Sequence, residues 1–187
     1  MPKKKIVTVQ KPIVFPDNYK VLGADLSLRR SALCLLSVNK ENEEIKIKVR
    51  KLISIDNKTN KKKCHGELLD DIQKAFLKLT FGLEDKIYYV RETEVMNRKV
   101  PSERNVSKVV GIIDWTLWKL QGEEWYSIYP VTIKKYVAGS GKAEKSEVAA
   151  ALEKYVGKQE YVCDDESDAT AVAIAWLIQQ GELEEIP

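Results

Sequence analysis

The chain has 187 residues and a net charge of +3, with 44% hydrophobic and 32% charged residues. This length suits one globular domain with a substantial core, and the chain contains no run of about 18 apolar residues that would span a membrane. Its three cysteines lack C-x-x-C spacing and are odd in number, which argues against a zinc site and a secreted disulfide framework. The basic amino terminus lacks the apolar core of a secretion signal, so a cytoplasmic location is predicted.

The charge is unevenly distributed along the chain. Residues 1–63 contain 16 Lys or Arg against 6 Asp or Glu, whereas residues 159–187 contain 8 acidic residues and no Lys or Arg. A basic surface suits the phosphate backbone of a nucleic acid. A solvated, lysine-rich surface needs no ligand, however, and charge alone favours that simpler interpretation.

The amino-terminal part of the chain is predicted to contain strands. Residues 1–18 lack periodicity and contain three prolines, which indicates an irregular basic lead-in before a single domain at 19–187. Apolar runs and alternation then predict three strands, at 19–25, 31–38 and 44–53.

Helices and strands alternate through the remainder of the chain. Helical spacing predicts helices at 65–80, 102–120, 132–137, 144–156 and 165–180, and apolar runs predict strands at 86–92 and 124–130. Ser102 is predicted to cap the second of these helices. Three consecutive strands followed by alternating units predict an α/β fold with a five-stranded mixed sheet and helices on both faces.

Four carboxylates occupy positions that suit a metal site. Asp25 and Glu92 each end a predicted strand, while Asp165 and Asp168 begin the last helix at i, i+3 spacing, which places them on one face. Phosphodiester hydrolysis uses such clusters, because two hard cations bound by oxygen ligands clamp the attacking and leaving oxygens. An aspartate after a strand is also a common turn or cap residue. Spacing alone therefore leaves both interpretations open.

The order of motifs resembles the RuvC family of Holliday junction resolvases, in the ribonuclease-H-like superfamily, from about Val21 to Trp176. The segments that carry this resemblance are Val21-Leu-Gly-Ala-Asp25, Val90-Arg-Glu92, Lys108-Val-Val-Gly111, Ile133-Lys-Lys-Tyr-Val-Ala-Gly-Ser-Gly-Lys-Ala-Glu-Lys145-Ser-Glu-Val148, and Asp165-Glu-Ser-Asp168-Ala-Thr-Ala. The fourth segment is the most specific, since it is similar to the family's V-K-x-x-V-x-G-x-G-x-A-x-K-x-x-V pattern.

The resemblance implies a ribonuclease-H-like fold and specific roles for six residues. It implies that Mg²⁺, or Mn²⁺ in its place, is bound as two ions by four catalytic carboxylates: Asp25, Glu92, Asp165 and Asp168. It also implies that Lys134 and Lys145 contact the phosphates of the DNA, where a lysine would stabilise negative charge in the transition state. A homodimer acting on a four-way DNA junction is implied as well, with the long helix after Glu92 in the interface.

The chain departs from the family pattern in two places. The turn after the first catalytic aspartate is of a Pro-Gly-Ser type in the family, but here Asp25 is followed by Leu-Ser-Leu-Arg-Arg30. Some members stack an aromatic residue three positions after the catalytic glutamate, a position occupied here by Val95. These differences suit a divergent, phage-type member of the family. They leave open how the protein would bind a junction and which DNA sequence it would prefer to cut.

Other residues near these motifs allow more than one interpretation. Glu94 shares a strand face with Glu92 by period two and is the alternative ligand, although the family register favours Glu92. Trp115 and Trp118 are predicted to lie in the core or in a subunit interface. The basic loop after Glu92 is predicted either to be solvated or to contact the DNA backbone through Arg98, Lys99 and Arg104.

The leading hypothesis is a Mg²⁺-dependent endodeoxyribonuclease that resolves four-way junctions. One alternative keeps the chemistry but changes the substrate to flaps, forks or other branched DNA. Another is a branched-DNA-binding protein that does not cleave. An actin-like ATPase or sugar kinase is disfavoured, because the chain lacks the glycine-rich phosphate loops that such proteins need.

Overall fold

The computed structural model describes residues 13–42, 44–57, 63–93 and 101–185, except for the side chains of 101–104. The strands are β1 (Asn18–Asp25), β2 (Arg30–Glu41), β3 (Glu44–Asp56), β4 (Ile87–Glu92) and β5 (Tyr126–Ile128). The helices are α1 (His65–Thr80), α2 (Pro101–Gln121), α3 (Pro130–Ala138), α4 (Lys145–Val156) and α5 (Asp164–Gln179). Within these ranges, no helix combines the length and apolar character needed to cross a membrane.

The strands form one mixed sheet in the order β3-β2-β1-β4-β5. The first three strands pair antiparallel, β4 joins β1 in parallel, and β5 joins β4 in parallel. Short connections suffice for the antiparallel strands, whereas each parallel strand follows a helix that returns the chain to the same end of the sheet. The predicted five-stranded mixed sheet is therefore confirmed.

Helices cover both faces of the sheet, as predicted. One face packs against α3, α4 and α5, with Val21 and Val90 among its buried strand residues. The opposite face packs against α1 and α2, with Leu22 and Tyr89 among its buried strand residues. Alternate residues of β1 and β4 are thus buried on opposite faces of the sheet. Because both faces are covered, the sequences of these central strands are nearly continuous apolar runs.

Several predicted boundaries are corrected by the structure. Helix α2 begins at Pro101, so Ser102 lies inside its first turn and not at the N-cap position. Strand β5 is only three residues long, and Pro130 begins α3 instead of ending the strand. Proline suits the first turn of a helix, because its missing N–H has no partner there and its φ is already helical. The last helix begins at Asp164, one residue earlier than predicted.

Candidate active site

Two of the predicted carboxylates meet because their strands are parallel neighbours. Asp25 ends β1 and Glu92 ends β4, and the pairing of Ala24 with Arg91 brings the two strand ends level. Both acids continue the alternating set that contains Val21 and Val90, so both lie on the face covered by α5. In sheets of this kind the carboxyl ends of parallel strands form the usual ligand site.

Helix α5 reaches this edge because β1 has a glycine where the two elements meet. A Cβ atom on Gly23 would lie only 2.2 Å from the carbonyl oxygen of Ala169, so the helix backbone approaches the strand more closely than any side chain allows. Asp165 and Asp168 lie on the same helix just before this contact. Gly23 therefore sets the separation between the aspartates of α5 and Asp25.

The aspartates form a compact triangle. One carboxylate oxygen from each of Asp25, Asp165 and Asp168 lies within 4.8 Å of the other two. Glu92 is outside this triangle but lines the same cavity of about 290 Å³ as Asp25 and Asp168. The structure thus brings all four predicted carboxylates to one place, with Glu92 lining the cavity beside the triangle.

Two lysines complete the polar lining of the cavity. Lys134 on α3 and Lys145 at the start of α4 both line it, beside apolar walls from Ile133, Val148 and Ala171. Lys145 donates a hydrogen bond from Nζ to Asp168 Oδ2. The cavity therefore combines concentrated negative charge with two cations at its rim.

The connection between α3 and α4 explains how both lysines reach the cavity. Gly139 ends α3 with a φ of 73°, a left-handed conformation that glycine adopts without strain. A Cβ atom on Gly141 would lie 2.7 Å from Val131 Cγ1, so the returning chain packs tightly against α3. Helix α4 then begins with the Glu144 backbone N–H donating to the Glu147 carboxylate. This turn places Lys145 opposite Asp168.

Burial and mutual repulsion disfavour full ionisation of the carboxylates. Burial raises the pKa of Asp25 to about 7, with further increases from the charges of Asp168, Glu92 and Asp165 and a smaller opposing effect from Lys145. The pKa of Glu92 is also raised, chiefly by burial and then by Asp168, against the effects of Lys145 and Lys134. The two lysines therefore compensate only part of the negative charge.

Lys145 shows the complementary effect. Burial lowers its pKa, but the hydrogen bond to Asp168 and the negative charges of Asp168, Asp25 and Asp165 outweigh burial and raise the pKa above its ordinary value. The ammonium group is thus charged at neutral pH and is held towards the carboxylates.

These residues fit a divalent cation. The donors are carboxylate oxygens, which hard cations such as Mg²⁺ and Mn²⁺ prefer. The raised pKa values of Asp25 and Glu92 indicate that positive charge is under-supplied in the protein alone. A bound cation would supply that charge and allow the carboxylates to ionise together.

Sequence reasoning assembled the six predicted residues but missed two others that shape the site. No role is predicted for Gly23 from the sequence, although a glycine inside an apolar strand often marks a close approach of another backbone. Arg30 was noted only as part of an unusual turn, yet its Nε lies 3.1 Å from Asp165 Oδ2. Glu94, Val95 and the basic residues Arg98 and Lys99 lie outside the described residues, as does the side chain of Arg104.

Curated proteins with similar sequences are crossover junction endodeoxyribonucleases named RuvC. The protein of Synechocystis sp. is 31% identical over 90 residues, which is 46% of this chain and 51% of that relative. The protein of Prochlorococcus marinus is 28% identical over 167 residues, covering 86% of this chain and 99% of the relative. The first alignment thus spans about half of its relative and the second nearly all. No family model matches the chain.

Solved structures with a similar arrangement of strands and helices include two resolvases. Thermus thermophilus RuvC in complex with a Holliday junction substrate aligns with a TM-score of 0.72 and 21% identity, over 84% of this chain and 92% of that one. A fowlpox virus resolvase with Holliday junction DNA aligns with a TM-score of 0.55 and 14% identity, over 86% and 97% of the two chains. These matches confirm the predicted ribonuclease-H-like fold.

Proposed function

We propose that this chain, whose similar curated proteins and similar solved structure are RuvC-type, is a metal-dependent endonuclease that resolves four-way DNA junctions. The observation that carries the proposal is the convergence of Asp25, Asp165 and Asp168, with Glu92 lining the same cavity as Asp25 and Asp168. A carboxylate cluster with two lysines at its rim is the arrangement expected for metal-assisted cleavage of a phosphodiester. A protein that only binds DNA has no need for it.

The side chains would divide the work of the reaction between them. The four carboxylates would hold Mg²⁺ or Mn²⁺, two ions for each site, and a bound cation would polarise the phosphate and make water a better nucleophile. Lys134 and Lys145 stabilise the negative charge that grows on the phosphate oxygens. Ile133 and Val148 limit the water around these charges, which strengthens their interaction with the substrate.

The proposed chemistry is a hydrolysis. A water molecule loses a proton as its oxygen forms a bond to phosphorus, the bond from phosphorus to the 3′ oxygen breaks, and the leaving oxygen takes up a proton. The products carry a 5′-phosphate and a 3′-hydroxyl. Reaction at symmetric positions of two strands converts a four-way junction into two duplexes.

The proposal is tested with synthetic DNA substrates that share the same arm sequences. We expect a four-way junction to be cut in the presence of Mg²⁺ or Mn²⁺, not in EDTA, and faster than forks, flaps or linear duplex. Equal rates on linear duplex would contradict junction selectivity, and a preference for forks or flaps would support the other branched substrates. Junction binding in EDTA without cleavage in any metal would point to a non-cleaving binding protein.

Replacing Lys145 should slow cleavage without preventing folding. Lys145→Gln removes the cation that contacts Asp168, and we expect a loss of about a hundredfold in the single-turnover rate at saturating junction. Lys142→Gln is the matched control, because Lys142 is exposed in the same connection and does not line the cavity. A rate equal to that of the control would remove Lys145 from the proposed machinery.

A homodimer is part of the proposal, because two active sites match the two-fold symmetry of a junction. Trp115 and Trp118 on α2 remain 58% and 62% exposed, although large aromatic side chains are normally covered. Gly111 lies on the same face by i, i+4 and i+7 spacing, and a Cβ atom there would meet open space. A glycine beside two exposed tryptophans suits close packing against a second copy of the helix.

Removing the two tryptophans should therefore produce monomers. We expect sedimentation to show a dimer for the wild type and a monomer for the Trp115→Gln, Trp118→Gln double variant, with unchanged secondary structure. Val162→Gln is the control, since Val162 is an exposed apolar residue between α4 and α5. A double variant that remains dimeric would place the interface elsewhere.

A further inference from the structure

Arg30 is a third basic side chain at the carboxylate cluster, and none of the proposed roles includes it. Its Nε lies 3.1 Å from Asp165 Oδ2, and its Nη2 lies 3.5 Å from Asp56 Oδ2. The side chain of Asp165 is 19% exposed, against 49% for that of Asp56. Arg30 therefore links the cluster to the end of β3, two strands away from Asp25.

The unusual turn after Asp25 fixes the backbone of Arg30. The Ser27 hydroxyl donates to the Arg30 carbonyl at 2.5 Å and accepts from the Arg30 N–H at 3.0 Å. The buried Asn57 donates its backbone N–H to the Arg29 carbonyl at 2.8 Å and its side-chain amide to the Leu28 carbonyl at 3.2 Å. The turn is thus tied to itself and to the end of β3, which directs the Arg30 side chain towards α5.

The contact with Arg30 is made at a buried oxygen of Asp165. This Oδ2 atom accepts no hydrogen bond within the described part of the chain, and the Arg30 guanidinium lies against it, with Nε 3.1 Å away. A carboxylate that has one oxygen paired with arginine keeps the other free for a cation, in a fixed orientation. Groups behind a metal ligand commonly orient it in this way.

We propose that Arg30 is a positioning residue, which holds the Asp165 carboxylate through Oδ2 in the orientation that binds a divalent cation, with Asp56 anchoring Arg30 on the other side. The inference rests on the proposed function only in treating Asp165 as a cation ligand. Arginine suits this task better than lysine, because its planar guanidinium presents separate nitrogen atoms to two carboxylates.

A positive charge beside a metal site can also weaken cation binding, which is the opposite of the proposed effect of Arg30. Removing Arg30 would then change the cation affinity in the opposite direction. If Arg30 acted only as a positive charge beside the site, it would repel the incoming cation, and its removal would tighten cation binding. If Arg30 orients Asp165, its removal weakens binding, typically by about 10- to 100-fold for a group behind a metal ligand. The direction of the change in affinity therefore separates orientation from simple repulsion.

The test is a calorimetric titration of the full chain with Mn²⁺ alone. We expect Arg30→Gln to weaken Mn²⁺ binding at least tenfold, with Arg30→Lys intermediate and Asp56→Asn weakened less. Arg29→Gln is the matched control, since it removes the same charge from the neighbouring exposed residue and should change the affinity less than about twofold, as screened surface charges do. Thermal unfolding in EDTA checks each variant, and a purely structural role would lower the unfolding temperature without changing Mn²⁺ affinity.

Each result has a definite meaning. Unchanged or tighter Mn²⁺ binding by Arg30→Gln would overturn the inference, even if the wild type cleaves junctions. A wild type that binds Mn²⁺ with the expected Arg30 effect but cleaves no DNA would overturn the proposed function alone. A wild type that binds no Mn²⁺ would overturn both. If Arg30→Gln does not fold, Asp56→Asn decides the inference, with weaker Mn²⁺ binding supporting it and unchanged binding overturning it.

Discussion

Asp25→Asn should abolish junction cleavage while making the metal-free protein more stable at pH 8. The amide keeps the size of the carboxylate but removes a negative charge that repels Glu92 and the aspartates of α5. We expect cleavage to fall by about 10³-fold or more, corresponding to roughly 4 kcal/mol of lost transition-state stabilisation. Single-turnover cleavage of a four-way junction in Mg²⁺ measures this loss.

The gain in stability follows from the raised pKa of Asp25. Burial, followed by the charges of Asp168, Glu92 and Asp165, raises this pKa from 3.8 to about 7 in the folded chain. The folded state then binds a proton more readily than the unfolded state, so the metal-free wild type loses stability as the pH rises from about 4 to about 7. Above that range the charged carboxylate destabilises the fold by up to about 4 kcal/mol, at 1.36 kcal/mol for each pKa unit.

The asparagine variant has no such dependence at this position. In EDTA at pH 8 we expect it to unfold about 5 °C or more above the wild type, because each kcal/mol shifts the midpoint by about 2–4 °C in a chain of this size. The difference should vanish below pH 4 and should shrink or reverse when Mg²⁺ stabilises the ionised wild-type site. Scanning calorimetry across this pH range, with and without Mg²⁺, provides the measurement.

Asp70→Asn is the control for Asp25→Asn. Asp70 forms an exposed ion pair with Lys74 on α1, away from the site, so its loss should change stability by less than about 1 kcal/mol and leave cleavage intact. A metal-free Asp25→Asn protein that unfolds below the wild type at pH 8 would mean that the Asp25 carboxylate is stabilised, not strained, in the fold. The carboxylate cluster would then need another explanation.

The sequence predicted much of the site because local patterns determine which face a residue occupies. Asp25 and Glu92 continue the alternation of two buried strands, and Asp165 and Asp168 share one face of a helix by their spacing. The structure adds the parallel pairing of β1 with β4, which no local pattern specifies. The motif order of the RuvC family supplied that long-range information before the structure did.

The features that were missed depend on contacts between distant segments. Arg30 contacts Asp165, which lies 135 positions later in the sequence. The pairing of β2 with β3 places Arg30 opposite Asp56. Such contacts leave no periodic signal. Pro130 is a different case, because its preference for the first turn of a helix was available in the sequence but was outweighed by the apolar run before it. Residues that adjust the site were therefore harder to predict than the residues that form it.

Gly23→Ala should strongly lower the stability of the fold. The new Cβ atom would lie 2.2 Å from the Ala169 carbonyl oxygen and 3.0 Å from the Ala173 backbone nitrogen. These are backbone atoms of α5, so relief requires the whole helix to move away from β1. We expect the free energy of unfolding to fall by about 3 kcal/mol or more, which corresponds to roughly 6–12 °C in the unfolding midpoint.

The cleavage rate of Gly23→Ala should fall by more than this loss of stability explains. Movement of α5 separates Asp165 and Asp168 from Asp25, and a displacement of about 1 Å at a reaction centre can cost about a hundredfold in rate. We therefore expect weak Mn²⁺ binding and slow cleavage at temperatures where Gly23→Ala remains folded. Gly66→Ala is the matched control, because its new Cβ atom would lie 3.7 Å from Cys64 Sγ and should leave both properties unchanged. A Gly23→Ala protein with wild-type stability and Mn²⁺ affinity would show that the close contact between β1 and α5 does not set the geometry of the site.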